Sequence, residues 1–196
     1  MKVLVVLLAL AAVVLGLVFW GVGVNNNLTR MDESINGAWS EVQNNYQRRS
    51  DLIPNLVETV KGAANFEQGT FTAVTEARAK AGQVTLTPES LKDPQAFARF
   101  EQAQGELGSA LSRLLVTVEN YPDLKASQNF RDLQAQLEGT ENRITVARQR
   151  FNQAVQSYNS SVRVFPASVI ASFRNFAARP YFQAKEGADQ APAVKF

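Results

Sequence analysis

Two patterns of apolar residues divide the chain. From Val3 to Val24, "VLVVLLALAAVVLGLVFWGVGV", 22 consecutive residues carry no charge and nearly all are apolar. From Leu28 onward the apolar residues retreat to positions three and four apart: Leu28, Ile35, Trp39, Val42, Tyr46, Ile53, Leu56, Val60 and Ala64. The first pattern suits a helix surrounded by lipid, roughly 33 Å long and matched to the hydrocarbon core of a bilayer. The second is one face of an amphipathic helix. Ala9-Leu10-Ala11 has the small-x-small form of a cleavage site, the mark of a rival signal peptide. Cleavage there would leave a six-residue apolar region and strand a second apolar run behind it, so an uncleaved single-pass anchor is expected.

The helical pattern weakens through Phe71, Val74 and Ala77 and breaks in "AGQVTLTPESLKDP". Asp93 followed by Pro94 reads as an N-cap with proline at the first helical position, opening a helix that carries Phe97, Phe100, Leu107, Leu111, Leu114 and Val118 and stops before Pro122. Ser127 can cap the next helix. Its seam repeats every seven residues at Phe130, Leu137, Ile144, Phe151, Tyr158 and Phe165, in the manner of a coiled coil. Within it "FNQAVQSYNSSVRVFP" repeats aromatic-Asn at Phe151-Asn152 and Tyr158-Asn159, where the aromatics are expected to pack and the asparagines to bond at the helix flank or fix its register. A short apolar segment, Val169, Ile170, Phe173 and Phe176, precedes a polar tail.

With no long alternating run to suggest a strand, the pattern predicts an all-α protein: an N-terminal transmembrane helix followed by a long antiparallel up-and-down bundle of three long helices and a short C-terminal one. The boundaries are residues 1–24 for the anchor, 25–166 for the bundle and 167–196 for the short helix and tail.

Pro54 lies inside the first soluble helix, where its ring presses on the carbonyl of Ser50 at a cost of ~3 kcal/mol. Val42 and Tyr46 before it remain in phase with Ile53, Leu56 and Val60 after it. A single helix from residue 25 to about 80, kinked at Pro54, is therefore expected. Arg48 and Asp51 face away from the seam. Arg49 falls on it and needs a carboxylate, since an unpaired buried charge costs several kcal/mol. Glu141 is the first candidate partner and Asp123 the second, with Glu119 in the same loop as Asp123.

Composition narrows the chemistry. The 196 residues include neither histidine nor cysteine, which removes thiol nucleophiles, histidine general bases, phosphohistidine relays and nearly all zinc or copper sites. Glu138 with Glu141, and Asp32 with Asn36, share helix faces, but such spacings are common on solvated helices, and Glu-x-x-His pairs for a di-metal bundle are missing. Neither an enzyme nor a cofactor is expected. The 20 basic and 18 acidic side chains are scattered, with no stripe for a phosphate backbone, so nucleic acid is not an expected partner.

"AWSEVQNNYQRRSDLIPNLVETVKG", "ENYPDLKASQNF", "TENRITVARQRFNQAVQSYNSSVRVFP" and the closing "PAVKF" together resemble the LemA family across almost all of residues 25–196. The resemblance implies a bacterial single-pass membrane protein with a long helical bundle. It also implies an envelope setting, with genes for a membrane zinc metalloprotease and TPM-domain proteins among the family's neighbours. It names no biochemical activity.

The resulting expectation is a membrane-anchored, non-enzymatic scaffold or adaptor of the cell envelope whose partners are the lipid bilayer and further copies of itself. The alternative is an accessory or regulatory subunit of another envelope membrane protein, a protease or transporter, in the stress response. Lys2 before the span and only Arg30 soon after it favour a periplasmic, extracytoplasmic domain. Two features suggest self-association. Ala12 and Gly16 form a small-xxx-small pair in the span. If the third helix runs parallel to the first and ends at the far tip, Ile35, Trp39, Val42 and Tyr46 lack an intrachain partner and offer an oligomer interface. A tail doubling back from Phe165 is the competing cover for that stripe.

Overall fold

A computed structural model describes residues 1–62 and 67–183. Helix α1 runs unbroken from Lys2 to Lys61, 60 residues or ~90 Å at 1.5 Å per residue. Its N-terminal portion is apolar and long enough to cross a membrane, and none of it is buried against the protein. Burial begins at Leu28 and continues through Ile35, Trp39, Val42, Tyr46, Arg49, Ile53, Leu56, Val57 and Val60.

The helix passes through Pro54 without ending, but it stops at Lys61 rather than near residue 80. A separate helix, α2 (Gln68–Gln83), then turns back along it and buries Val74, Ala77 and Ala81. The expected single long helix is thus two. A helix that reverses onto its neighbour reuses the same apolar spacing, so periodicity alone did not register the turn. Ala64 and residues 184–196, assigned to the first helix and the tail by pattern, lie outside the described residues.

After a 3-10 turn at Ser90–Lys92, α3 (Pro94–Val118) climbs beside α1, capped by Asp93 Oδ1, which accepts from Gln95 N–H at 2.9 Å. The short α4 (Pro122–Ala126) turns the chain into α5 (Gln128–Arg163), whose Ser127 cap accepts from Phe130 N–H at 3.3 Å. Because α2 inserts one extra reversal, α5 descends antiparallel to α1: Arg49 meets Glu141 and Glu41 meets Arg150. The parallel arrangement expected from the pattern is corrected accordingly. The bundle is four long passes, up-down-up-down, with no strand among the described residues.

Helix α6 (Ala167–Phe173) lies at the foot of α5, against the base of α1. It ends in a Schellman turn: Phe176 N–H reaches Ala171 O at 2.9 Å and Asn175 N–H reaches Ser172 O at 3.3 Å. The residue between helix and strap, Asn175, has φ 56°, a left-handed conformation asparagine tolerates better than most side chains. That turn sends residues 176–183 back up the bundle as a non-helical strap.

The core has two parts. One, toward the tip, gathers Ile53, Val60, Leu107, Leu114, Phe130 and Leu137. The other, nearer the foot, gathers Trp39, Phe97, Phe100, Phe151 and Tyr158 together with Phe182 from the strap. Ile35, Trp39, Val42 and Tyr46, expected as an exposed oligomer interface, are 0 %, 3 %, 0 % and 8 % exposed within the chain itself. The descending α5 and the returning strap cover them, so this stripe is core and not a surface for another copy.

Candidate functional site

The interior polar groups form a ladder along the face shared by α1, α3, α5 and the strap. Its upper rung is Arg49, 3 % exposed and set between the two halves of the core. Arg49 Nη1 donates to Glu141 Oε1 at 2.9 Å, and Nη2 donates to Gln104 Oε1 at 2.5 Å. Its guanidinium carbon stands 5.0 Å from the Tyr46 ring centre. One planar fork therefore joins three helices, which a lysine's point charge could not do. Gly108 of α3 lies beside the fork, where a Cβ would stand 4.0 Å from Arg49 Nη1, at ordinary van der Waals distance.

The middle rung is Arg148, whose Nη2 donates to Glu101 Oε1 at 3.1 Å and to the backbone oxygen of Gln183 at 3.3 Å. The guanidinium also lies 4.4 Å from the Phe182 ring centre. The lowest rung is Arg179, 4 % exposed, whose Nε donates to Asp32 Oδ1 at 3.1 Å, with Nη2 on the same oxygen.

Between the lower rungs the aromatic-Asn repeat finds its use. Asn159 accepts from Arg179 N–H at 2.8 Å and donates to Arg179 O at 2.9 Å. Asn152 does the same for Phe182, at 2.9 Å in both directions. Each amide thus satisfies both backbone groups of one strap residue. The spacing follows from geometry: seven helical residues rise ~10.5 Å, and three extended residues span about 10 Å. A heptad on α5 therefore matches residues 179 and 182 of a strap running antiparallel to it. The neighbouring Phe151 and Tyr158 point inward and pack the core. Phe182 is thereby held against Trp39, Phe97 and Phe151, with ring centres 6.1, 4.8 and 5.3 Å away.

Burial raises the pKa of Tyr46 and Tyr158 above their ordinary 10.0, and that of Glu101 above 4.5, in each case against the pull of a nearby arginine. A cleft of about 840 Å³ opens over the upper and middle rungs, lined by Tyr46, Arg49, Glu101, Gln104, Glu141 and Arg148. Its two carboxylates are each bonded to an arginine, which leaves neither arranged as a free acid or base. Among the described residues no three of His, Cys, Asp and Glu converge on a metal-sized site.

Of the candidate pairs, the structure places Glu141 against Arg49. Asp123 is on α4, lining a different cavity with Glu58 and Tyr121. Glu119 pairs with Lys125. Glu138 takes a hydrogen bond from Gln134 and does not join Glu141, while Asp32 turns to Arg179 rather than Asn36. Gly16 in the span has open space around it. Sequence reasoning missed Gln104, Arg148 and Arg179. The signal within reach was the heptad between the two asparagines, which implies something that they both hold.

Four helical passes rising from one apolar helix, closed by a strap that two asparagines grip by its backbone, define a membrane-associated helical protein whose interior polar groups bind its own elements together. The chain belongs to the LemA family, which it matches over residues 38–196, the stretch that holds all three arginines of the ladder and both clamps. It is similar to the magnetosome protein MamQ of Magnetospirillum gryphiswaldense, 28 % identical over 84 % of this chain and 66 % of that protein. The magnetosome protein MamQ 2 of Paramagnetospirillum magneticum is 26 % identical with the same coverage. Protein LemA of Metamycoplasma hominis is 26 % identical over 84 % of this chain and 71 % of its own length. The chain thus spans 66 % of the length of the MamQ relatives it matches.

Proposed function

We propose that this protein is a membrane-anchored, non-enzymatic helical scaffold of the bacterial cell envelope that self-associates through its span, with the bundle on the extracytoplasmic side. The observation that carries the reading is α1: one helix from Lys2 to Lys61 joins the apolar segment to the bundle without a linker, so the bundle's position is fixed relative to the bilayer. A rigid mount suits a protein that presents surface at a set height. The interior polar groups support the same reading, since Arg49, Arg148 and Arg179 are spent on joining helices and strap. Relatives named as magnetosome proteins are named for a structure and not for a reaction.

With the Trp39 stripe consumed by the core, self-association is assigned to Ala12 and Gly16, where small residues let two helices approach closely. The protein mass of the full chain in detergent, after subtraction of bound detergent, tests this. More than one subunit in wild type and one in Gly16→Ile supports the assignment, and a single subunit in both removes it. For the scaffold itself, a photo-crosslinking residue is placed at Val116 on α3 and at Val146 on α5, both exposed, in cells. Reproducible protein adducts are expected. Adducts restricted to one membrane protease or transporter would replace the scaffold with the accessory-subunit reading, and none at either position would sink both.

A further inference from the structure

The foot of the bundle carries an apolar surface that the core does not use. Val164, Phe165, Val169 and Phe173 are 60 %, 78 %, 58 % and 86 % exposed, although they lie next to residues that pack normally. Val169 and Phe173, four apart on α6, share one face, while Ala171 on the same helix is buried. Exposed phenylalanines at this density mark a contact with something apolar.

The position of α6 identifies the occupant. Ile170 Cδ1 comes 3.5 Å from where a Cβ on Gly21 would stand, and Arg174 Nε donates to Asn25 Oδ1 at 3.1 Å. The helix therefore touches α1 at the last turn of the apolar segment, the level at which a spanning helix leaves the hydrocarbon. Gly21, Val24 and Asn25 are partly covered there, in contrast to the fully open residues earlier in the span. Charge agrees with this placement. Residues 142–183 contain six arginines and not one acidic residue. Arg163 and Arg174, both exposed, flank the apolar face. The nearest acid to the span, Asp32, is taken up by Arg179. Apolar side chains edged by cations are what a lipid headgroup layer accepts, with acyl chains below and phosphates alongside.

The geometry points to a second membrane contact: the segment from Val164 to Phe173 inserts shallowly into the bilayer beside the span, and the bundle is seated on the lipid at two points rather than pivoting on α1 alone. This rests on the reading of residues 3–24 as a membrane anchor. A protein surface could also cover the phenylalanines, but continuity with the span favours lipid.

The chain has no cysteine, so single-cysteine variants can be spin-labelled cleanly. Val169→Cys, Phe173→Cys, Leu10→Cys and Val116→Cys are made in the full chain and reconstituted in vesicles containing phosphatidylglycerol. Collision with oxygen, which concentrates in lipid, is compared with collision with a water-soluble nickel chelate. The expected result is a shift of the labels at 169 and 173 toward the oxygen-rich values of the label at 10, with the label at 116 nickel-accessible. Labels at 169 and 173 that match the label at 116 while the label at 10 stays in lipid overturn the seat and leave the anchor intact. Water-like values at 10 as well overturn both. Labels at 169 and 173 shielded from both reagents replace lipid with a protein surface and overturn the proposal. Two positions guard against one label disturbing the fold.

Discussion

Arg78 Nε donates to the backbone oxygen of Ser50 at 2.9 Å, and Ser50 is the residue whose carbonyl loses its helical donor because Pro54 has no N–H. The proline inside α1 is therefore answered from α2. Arg78→Met is expected to cost about 1 kcal/mol in the wild type, the net value of such a bond. In a Pro54→Ala background the alanine N–H can return to Ser50, so the same change should cost less than half as much. Pro54→Ala alone should raise the unfolding midpoint. Equal cost of Arg78→Met in both backgrounds, measured by urea unfolding of the detergent-solubilised chain, would reject the coupling.

Asn159 is the deeper of the two clamps, with both of its bonds buried, whereas those of Asn152 are half-buried. Asn159→Ala leaves a buried N–H and C=O of Arg179 without partners and is expected to destabilise by about 2–4 kcal/mol, while Asn152→Ala should cost about half that. Amide hydrogen exchange gives the sharper readout. Asn152→Ala should release the Phe182 amide first and leave Arg179 protected, because the strap then frays from its end. Loss of protection at both amides to the same degree would show that the strap moves as one unit.

What the sequence made legible was whatever period and chemistry state locally. The span, the α5 seam from Phe130 to Tyr158, the Asp93 and Ser127 caps and the need of Arg49 for a carboxylate all lie in short stretches of sequence, whereas Phe165, the last position of the heptad pattern, falls beyond the end of α5 and is exposed. The reversal after Lys61 was not legible, because Val60 is followed by Phe71, Val74 and Ala77 at spacings that a continuous helix would also use. That single missed turn inverted the direction of α5 and left Trp39 seemingly without a partner. In the folded chain Trp39 sits 5.2 Å from Phe100 and 5.7 Å from Phe151, centre to centre, so Trp39→Glu is expected to unfold the bundle rather than separate subunits. The strap was hidden for another reason: Asn152 and Asn159 grip the backbone of Phe182 and Arg179, a group every residue carries, so no side chain at those positions marks them as what the asparagines hold.

The Arg49 rung is asymmetric, since the arginine side chain is 4 % exposed and the Glu141 side chain 44 %. Removing the carboxylate leaves the guanidinium with Gln104 and the Tyr46 ring, so Glu141→Gln is expected to cost only about 1 kcal/mol, a value set by solvent screening of the exposed partner. Arg49→Lys should cost more, about 2–3 kcal/mol, because an ammonium cannot reach both Glu141 and Gln104 from the buried position. A double-mutant cycle with Arg49→Met and Glu141→Gln should give a coupling above ~0.5 kcal/mol, and a smaller value would mean that Gln104 alone holds the rung.

Glu101 gives the bundle a pH dependence of determinate sign. It is half-buried beneath the strap, where its Oε1 accepts from Arg148 and from the backbone N–H of Gln183 at 3.3 Å. Burial raises its pKa above the ordinary 4.5, and the arginine and the backbone bond pull it down by less. The folded state therefore holds the proton more tightly than the unfolded one. Wherever the native chain binds more protons, stability falls as pH rises. The contribution is complete below pH 4.5 and is lost as the pH climbs through the raised native value. Glu101→Gln keeps the shape and cannot titrate, so the stability of wild type minus that of the variant isolates this group. That difference is expected to decline as the pH rises above 4.5 and to level off once Glu101 is ionised in both states. Urea unfolding at several pH values measures it. A difference that grows with pH would mean that attraction to Arg148 outweighs burial, reversing the order of the two effects at this carboxylate.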